Sequence, residues 1–287
     1  METIRKFIQL TRLDKPIGFQ LLFWPCLCGL TLAYYFNKTT ELYFKYAILF
    51  FLGSVLMRSA GCIFNDIVDK NLDKKVERTK KRPIASGKIS VLNAYIYVVT
   101  LCLISFLVLL QFNFLTIILG MSSMILAFSY PFMKRITYWP QLFLGLTFNW
   151  GIIMGWTSIA NNISIEPIIL YVAAIFWTLG YDTIYGIQDI KDDEIIGIKS
   201  TSIKFKKSAK IFVGTCYTLC VFLILILAIM LQINKYLLII LIPFVISLLY
   251  QIKTFKMNNP ESCLVAFKNN NLSGFLIFIF ILSFNIS

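Results

Sequence analysis

The feature that most constrains the fold is a series of long apolar runs that follow one another along the chain. There are about nine of them, each close to the roughly 20 residues that a helix needs to cross a bilayer. Within the bilayer the backbone must satisfy its own hydrogen bonds, so these runs are predicted to be helices. The predicted spans are approximately 17–36, 43–64, 91–110, 114–132, 139–160, 167–187, 211–231, 235–252 and 271–286. We therefore predict an all-α membrane protein in which residues 1–287 form a single transmembrane domain.

Positive charge is distributed unevenly between the two predicted membrane faces. Lys and Arg outnumber Asp and Glu, 27 to 14. Nearly all of the Lys and Arg residues lie in the N-terminus and in the loops after even-numbered spans. The opposite face carries Lys38, Lys45 and Lys235. Cytoplasmic loops collect Lys and Arg, so we predict a cytoplasmic N-terminus and a functional site among the long cytoplasmic loops. The same bias accounts for the basic composition, and we expect the lipid bilayer, not nucleic acid, as the partner.

The residue types that are missing restrict the chemistry. The chain has no His, which excludes His-based zinc sites, Ser–His–Asp triads and His general bases. Its seven Cys residues lie mostly in apolar runs without a paired spacing, so structural disulfides are not expected. Any bound metal must be held mainly by oxygen ligands.

Two carboxylate-rich segments follow spans two and six. Residues four apart share one face of a helix, so each segment predicts a stripe of oxygen ligands. The first stripe comprises Asn65, Asp69 and Asp73, with Asp66 beside it, and the second comprises Asp182, Tyr185, Asp189 and Asp193. Like charges four residues apart destabilise a helix unless a cation neutralises them. Oxygen ligands alone favour Mg²⁺ or Mn²⁺, which binds few protein carboxylates and completes its coordination with water and phosphate oxygens.

The two segments also indicate an internal repeat. Each Asp-x-x-x-Asp follows an even-numbered span and precedes basic residues and a Thr, and Asp69 and Asp189 are separated by about four spans. We interpret the chain as two four-helix halves plus a ninth helix.

Basic residues near the segments predict a site for a diphosphate. Guanidinium groups bind phosphate oxygens through paired hydrogen bonds. The candidates are Arg78, Lys81, Arg82 and Lys199. Arg58 and Asp182 lie within predicted spans, where a charge costs about 2.5–3.5 kcal/mol and therefore usually faces a cavity. Arg135 lies at the end of span four.

With these residues in view, the chain resembles the UbiA superfamily of membrane prenyltransferases, and within it the 4-hydroxybenzoate polyprenyltransferases. The superfamily resemblance rests on the two aspartate segments. The narrower one rests on Arg12-Leu13-Asp14-Lys15-Pro16-Ile17-Gly18, Arg78-Thr79-x-x-Arg82-Pro83, Tyr130-Pro131-Phe132-Met133-Lys134-Arg135, Pro140-Gln141, Tyr181-Asp182-Thr183-x-Tyr185 and Gly197-Ile198-Lys199-Ser200-Thr201.

The resemblance implies nine helices around a central cavity, in which a polyprenyl group passes from its diphosphate to 4-hydroxybenzoate during ubiquinone synthesis. It implies that Mg²⁺ is held by Asn65, Asp69, Asp73, Asp189 and Asp193. Arg135 would lie near the carboxylate of the aromatic acid, and we assign Arg58 to the same acceptor site. Asp182 or Asp66 would activate the phenol or accept the proton. The implied location is the bacterial inner membrane, with the active site on the cytoplasmic face.

Two alternatives remain open from the sequence. The acceptor of such a transferase could instead be homogentisate, a dihydroxynaphthoate or haem. A transporter is the alternative of another class, but it predicts midplane charges on several spans, whereas charge here is concentrated at one face.

Overall fold

The computed structural model describes residues 2–76 and 79–286, and this part of the chain is almost entirely helical. Within it, nine helical segments are long and apolar enough to cross a membrane, as predicted. Spans one to nine are Ile17–Asn37, Thr40–Val68, Val91–Leu109, Phe114–Ile136, Pro140–Ala160, Ile165–Ile196, Lys206–Met230, Lys235–Thr254 and Pro260–Ile286. Shorter helices lie outside the spans at Glu2–Thr11, Lys70–Asp73 and Thr201–Lys204. The chain is a multi-pass membrane protein.

Local sequence explains where several spans begin. Ser90 and Asn113 are the N-caps of spans three and four. Each side chain accepts a hydrogen bond from the backbone N–H three residues later, which satisfies a donor that the helix itself leaves unpaired. Pro140 occupies the first position of span five, where its missing N–H costs nothing.

Span nine differs from the prediction, which began it at residue 271. The structure begins it at Pro260, with one helix over Pro260–Lys268 and a second over Asn270–Ser283. The break falls at Asn269, and just after it the Asn270 and Asn271 side chains accept hydrogen bonds from the indoles of Trp177 and Trp24. Polar residues in the middle of the span had hidden its first half, because a hydropathy pattern cannot show that their hydrogen bonds are satisfied inside the bundle.

The two halves meet where span one crosses span five. A Cβ at Gly29 would lie 2.1 Å from the Ile152 carbonyl oxygen, and one at Gly155 would lie 2.3 Å from that of Cys26. Glycine at both positions therefore lets the backbones approach closely, as small residues do in membrane helix pairs. This contact joins the two halves, because span two packs against span one and span six packs against span five.

Candidate active site

A cavity of about 820 Å³ runs through the first part of the bundle. Spans one to six line it, and span nine adds Phe267. Within the described residues, spans seven and eight contribute nothing to its wall. The cavity brings together the oxygen ligands predicted from both segments: its lining includes Asn65, Asp69, Asp73, Asp182, Asp189 and Asp193.

The first carboxylate segment lies where the helix of span two breaks and restarts. The helix ends at Val68, and Asp69 adopts φ −92°, ψ 2° before the short helix that ends at Asp73. Hydrogen bonds from the Asp69 N–H to the Asn65 carbonyl (2.9 Å) and from the Asp73 N–H to the Asp69 carbonyl (2.8 Å) preserve the four-residue spacing. The predicted stripe is therefore kept although the helix is interrupted. Its central residue, Asp69, has backbone dihedral angles in the bridge region, where many active-site residues are found.

The second segment repeats this backbone arrangement. The α-helix of span six ends at Gly186, a 3₁₀ turn covers Ile187–Asp189, and a helix resumes at Ile190. Asp189 has φ −107°, ψ 0°, close to the values of Asp69. The internal repeat inferred from the sequence thus extends to the backbone of its central aspartates.

Basic side chains neutralise all three buried carboxylates of the first segment. Asp66 accepts hydrogen bonds from Arg12 Nη2 (2.6 Å) and Arg82 Nη1 (3.1 Å), and Arg82 also reaches an Asp73 carboxylate oxygen at 2.9 Å. Asp69 pairs with Lys134. These pairs are needed because a buried charge without a partner is strongly destabilising. Burial still raises the pKa of Asp73 above its ordinary value, although the adjacent Arg82 opposes the shift.

The structure separates the predicted basic residues. Arg82 lines the cavity, whereas Lys81 is exposed and outside it. Lys199 also lies outside, donating to the Ile136 carbonyl at 3.2 Å. The predicted diphosphate ligand Arg78 lies outside the described residues. Arg82 is thus the predicted base that the structure places beside the carboxylates.

Comparison with known proteins identifies the family. The model of the UbiA prenyltransferase family matches residues 22–281. This chain belongs to that family.

Relatives of this UbiA-family chain carry related names. It is 38% identical over 281 residues to 4-hydroxybenzoate octaprenyltransferase of Coxiella burnetii, and the match covers 98% of the chain and 96% of that protein. It is 45% identical over 212 residues to mitochondrial 4-hydroxybenzoate polyprenyltransferase of Arabidopsis thaliana, covering 74% of the chain and 52% of that protein. The match therefore spans about half the length of the plant relative and nearly all of the bacterial one.

Solved structures show the same fold. A UbiA homologue from Aeropyrum pernix superposes with a TM-score of 0.77 at 22% identity, covering 91% of this chain and 96% of that one. A UbiA homologue from Archaeoglobus fulgidus bound to GPP and Mg²⁺ superposes with a TM-score of 0.73 at 17% identity, covering 98% of this chain and 100% of that one.

The site residues predicted from the sequence did not include two basic residues of the cavity, Arg12 and Lys134. Both line the cavity and pair with carboxylates of the first segment. Helical phase could have identified Lys134, because Ala127, Tyr130 and Lys134 fall on one face of span four. Arg12 gave no comparable signal, since a basic residue before the first span also fits the positive-inside bias.

The predicted acceptor residues Arg135 and Arg58 lie in different surroundings. Arg135 is exposed, donates to the Val68 carbonyl at 2.8 Å, lies 3.4 Å from Asp69 and does not line the cavity. Arg58 lines the cavity, and its guanidinium carbon lies 5.3 Å from the centre of the Phe148 ring. Among the described residues none forms a hydrogen bond or a close ion pair with Arg58, although Asp182 is near enough to interact with it electrostatically. A cation inside a span is thus available to a ligand.

The predicted catalytic residues also separate. Asp182 is half-buried and lines the cavity, whereas Asp66 lies behind the wall and binds two guanidinium groups. Glu194, which follows Asp193 in the sequence, is exposed and pairs with Lys206 at 2.8 Å. The carboxylates of the second segment that line the cavity are therefore Asp182, Asp189 and Asp193.

The chemistry of the lining fits Mg²⁺. The ligands available are carboxylate and amide oxygens, which this ion prefers. Within the described residues, no group of three or more Asp, Glu or Cys side chains could hold a metal ion unaided. Mg²⁺ usually binds only one or two protein carboxylates together with substrate phosphate oxygens, so the arrangement suits a metal that arrives with a phosphorylated substrate.

Away from the carboxylates the cavity wall is mostly apolar and reaches the side of the bundle. Val99, Leu103 and Phe106 on span three and Met121 on span four line the cavity and are also exposed. Spans three and four make few contacts with each other. An apolar tail therefore has a path from the charged end of the cavity to the surrounding lipid.

Proposed function

We propose that this chain transfers a polyprenyl group from polyprenyl diphosphate to the ring carbon ortho to the hydroxyl of 4-hydroxybenzoate, in ubiquinone biosynthesis and with Mg²⁺. The observation that carries the proposal is one continuous cavity with a charged end, an unpaired Arg58 beneath it and an apolar wall open to lipid. Relatives named for this reaction support it at 38% and 45% identity.

The donor diphosphate would bind at the charged end. Asn65, Asp69, Asp73, Asp189 and Asp193 would hold Mg²⁺, which when bound neutralises charge on the departing diphosphate. Arg82 and Lys134 would supply further donors to phosphate oxygens, as Arg–phosphate pairs commonly do. A protein with the same fold is known in complex with GPP and Mg²⁺, which supports a prenyl diphosphate and Mg²⁺ as ligands of this fold. Arg78 remains a proposed ligand on sequence grounds, whereas Lys81 and Lys199 lie outside the cavity lining and we do not assign them to the diphosphate.

The acceptor would bind below the diphosphate, with its carboxylate on Arg58. Arg58 lies seven residues before Asn65, which along a helix is about 10 Å. That separation accommodates the ring of 4-hydroxybenzoate between the guanidinium and the donor. Arg135, our other candidate, faces away from the cavity and would position the Asp69 carboxylate instead.

The reaction requires that an allylic cation form and survive until the ring attacks. The bond between the prenyl C1 and the diphosphate oxygen breaks, a C–C bond forms between C1 and the ortho carbon, and that carbon loses its proton. Tyr130, Tyr181 and Tyr185 line the cavity near Asp182 and offer ring faces that stabilise a cation. Asp182 would accept the proton, and the apolar wall would exclude water that quenches the cation.

The remaining features of the proposal concern the whole chain. We propose that residues 1–287 form one prenyltransferase domain in the bacterial inner membrane. The positive charge of the loops after even-numbered spans supports a cytoplasmic active site, and the Coxiella relative supports a bacterial setting.

Release of pyrophosphate tests this proposal. Purified protein in nanodiscs is supplied with polyprenyl diphosphate, Mg²⁺ and 4-hydroxybenzoate, each omitted in turn. Release is expected to need all three. Release that needs homogentisate or a dihydroxynaphthoate instead would assign a different acceptor, and release that is independent of Mg²⁺ would contradict the metal site.

A further inference from the structure

The Arg58 guanidinium lies in a slot formed by spans one and five. Phe148 of span five faces it at 5.3 Å, a distance at which a ring face attracts a cation. Gly18 of span one lies on another side of the group, and all three residues line the cavity. The slot therefore joins the first span of each half around the cation that we assign to the acceptor.

The absence of a side chain at Gly18 is what makes room for the guanidinium. A Cβ at this position would lie 2.6 Å from Arg58 Nε, 3.2 Å from Nη2 and 3.3 Å from Cζ. The first distance is too short for atoms that are not bonded, so the guanidinium would have to move. A flexible side chain would absorb this clash. At Gly29 and Gly155, by contrast, the same change would collide with backbone carbonyls.

We propose that Gly18 and Phe148 are positioning residues that hold Arg58 where it binds the acceptor carboxylate, an inference that rests on the proposed function. The carboxylate and the reactive ortho carbon belong to one rigid ring. A displacement of the guanidinium therefore displaces the carbon that must reach the prenyl C1. Gly18 and Phe148 thus favour an aromatic acceptor with one particular distance between its carboxylate and its reactive carbon, and they do so without contacting the donor.

The test measures acceptor and donor KM separately in Gly18→Ala, Arg58→Met and the double variant. Misplacement by about 1 Å costs up to about a hundredfold in rate, so we expect Gly18→Ala to raise the 4-hydroxybenzoate KM or lower kcat by about tenfold or more. The donor KM should stay unchanged. Gly214→Ala is the matched control, because it adds the same methyl group to a membrane helix where nothing lies within 4 Å.

The double variant distinguishes positioning from a general structural effect. If Gly18 acts through Arg58, Gly18→Ala has no further effect once Arg58 is Met, because coupled residues are not additive. Additive effects, or equal losses for donor and acceptor, would overturn the inference. If Gly18→Ala does not fold, Phe148→Leu provides a second test, made once in the wild-type protein and once in Arg58→Met. An Arg58→Met variant with an unchanged acceptor KM would instead contradict the acceptor site of the proposed function.

Discussion

Spans three and four occupy the same places in the first half as spans seven and eight do in the second, yet the two pairs are packed differently. Span three buries only Ala94, Val98, Leu101 and Ser105 of its 19 residues. The 22-residue helix of span seven buries eight, and seven of these belong to the largest apolar cluster of the described residues. Polar contacts join spans seven and eight to each other and to span nine, since Tyr217 of span seven donates to Gln251 of span eight, which donates to Ser273 of span nine. We call spans three and four the hollow pair and spans seven and eight the packed pair.

The difference shows how a repeated four-helix plan can carry a single cavity. The inner face of the hollow pair lines the cavity and its outer face is exposed to lipid. Few of its residues are therefore packed against other helices. The packed pair fills the corresponding space and supports span six, which presents Asp182, Asp189 and Asp193 to the cavity. Both halves supply aspartates, but the first half supplies the path for an apolar tail.

The largest expected effect concerns the aspartates that both halves supply. Asp69→Asn and Asp189→Asn should each lower turnover by about a thousandfold, because each removes charge that holds the metal on the leaving diphosphate. Turnover is measured by pyrophosphate release. Glu194→Gln is the control, since this exposed carboxylate faces Lys206 instead of the cavity. Full activity in the Asp189 variant would limit the metal site to the first half.

The next effect separates the two predicted acceptor residues. Arg58→Met should raise the 4-hydroxybenzoate KM by about thirtyfold, the range expected for loss of a hydrogen bond to a charged group. Arg135→Gln should change that KM by no more than about twofold, because Arg135 lies outside the cavity. Initial rates at saturating donor give both values. The opposite ranking would place the acceptor at the end of span four.

One substitution made in each pair tests the packing difference itself. Ala127 lines the cavity on span four, whereas Ala228 on span seven is only 2% exposed within the packed pair. Ala127→Phe should leave thermal stability unchanged and lower turnover of long donors about tenfold relative to short ones, since the ring narrows the tail path. Ala228→Phe should cost about 1–3 kcal/mol of stability through overpacking and leave donor-length preference unchanged. Equal loss of stability in both variants would show that spans three and four are packed after all.

The smallest expected effects concern basic residues that the sequence suggested and the structure places outside. Lys81→Gln and Lys199→Gln should change the donor KM by no more than about twofold, as is usual for exposed charges. Arg82→Gln, in contrast, removes the partner of both Asp66 and Asp73 and should raise the donor KM at least about tenfold. A tenfold effect from Lys199→Gln would require the loop after span six to close over the donor.

Sequence patterns were sufficient for the two aspartate segments, for their equivalence and for the nine spans apart from the first half of span nine. Long apolar runs and four-residue spacing arise from the helix and the bilayer, and both can be recognised without knowledge of packing. The hollow pair could not be recognised in this way. Spans three and seven have similar mean hydropathy, 2.2 and 2.6, because a wall facing lipid and a wall facing other helices are equally apolar.

The choice between neighbouring charged residues was also beyond the sequence. Lys134 and Arg135 follow one another, and about 100° of helical rotation places the first in the cavity and the second outside it. The role of Asp66 as a partner for Arg12 depends on a contact across 54 positions of the chain.

The mass of the product tests the central claim most directly. Purified protein is offered 4-hydroxybenzoate, homogentisate and a dihydroxynaphthoate together, with one polyprenyl diphosphate and Mg²⁺. The account predicts a single adduct with the mass of 4-hydroxybenzoate plus one prenyl group. It should be substituted ortho to the hydroxyl, strongly reduced at low acceptor concentration with Arg58→Met and retained with Arg135→Gln. An adduct of another acceptor, or one that Arg58→Met leaves unchanged, would contradict it.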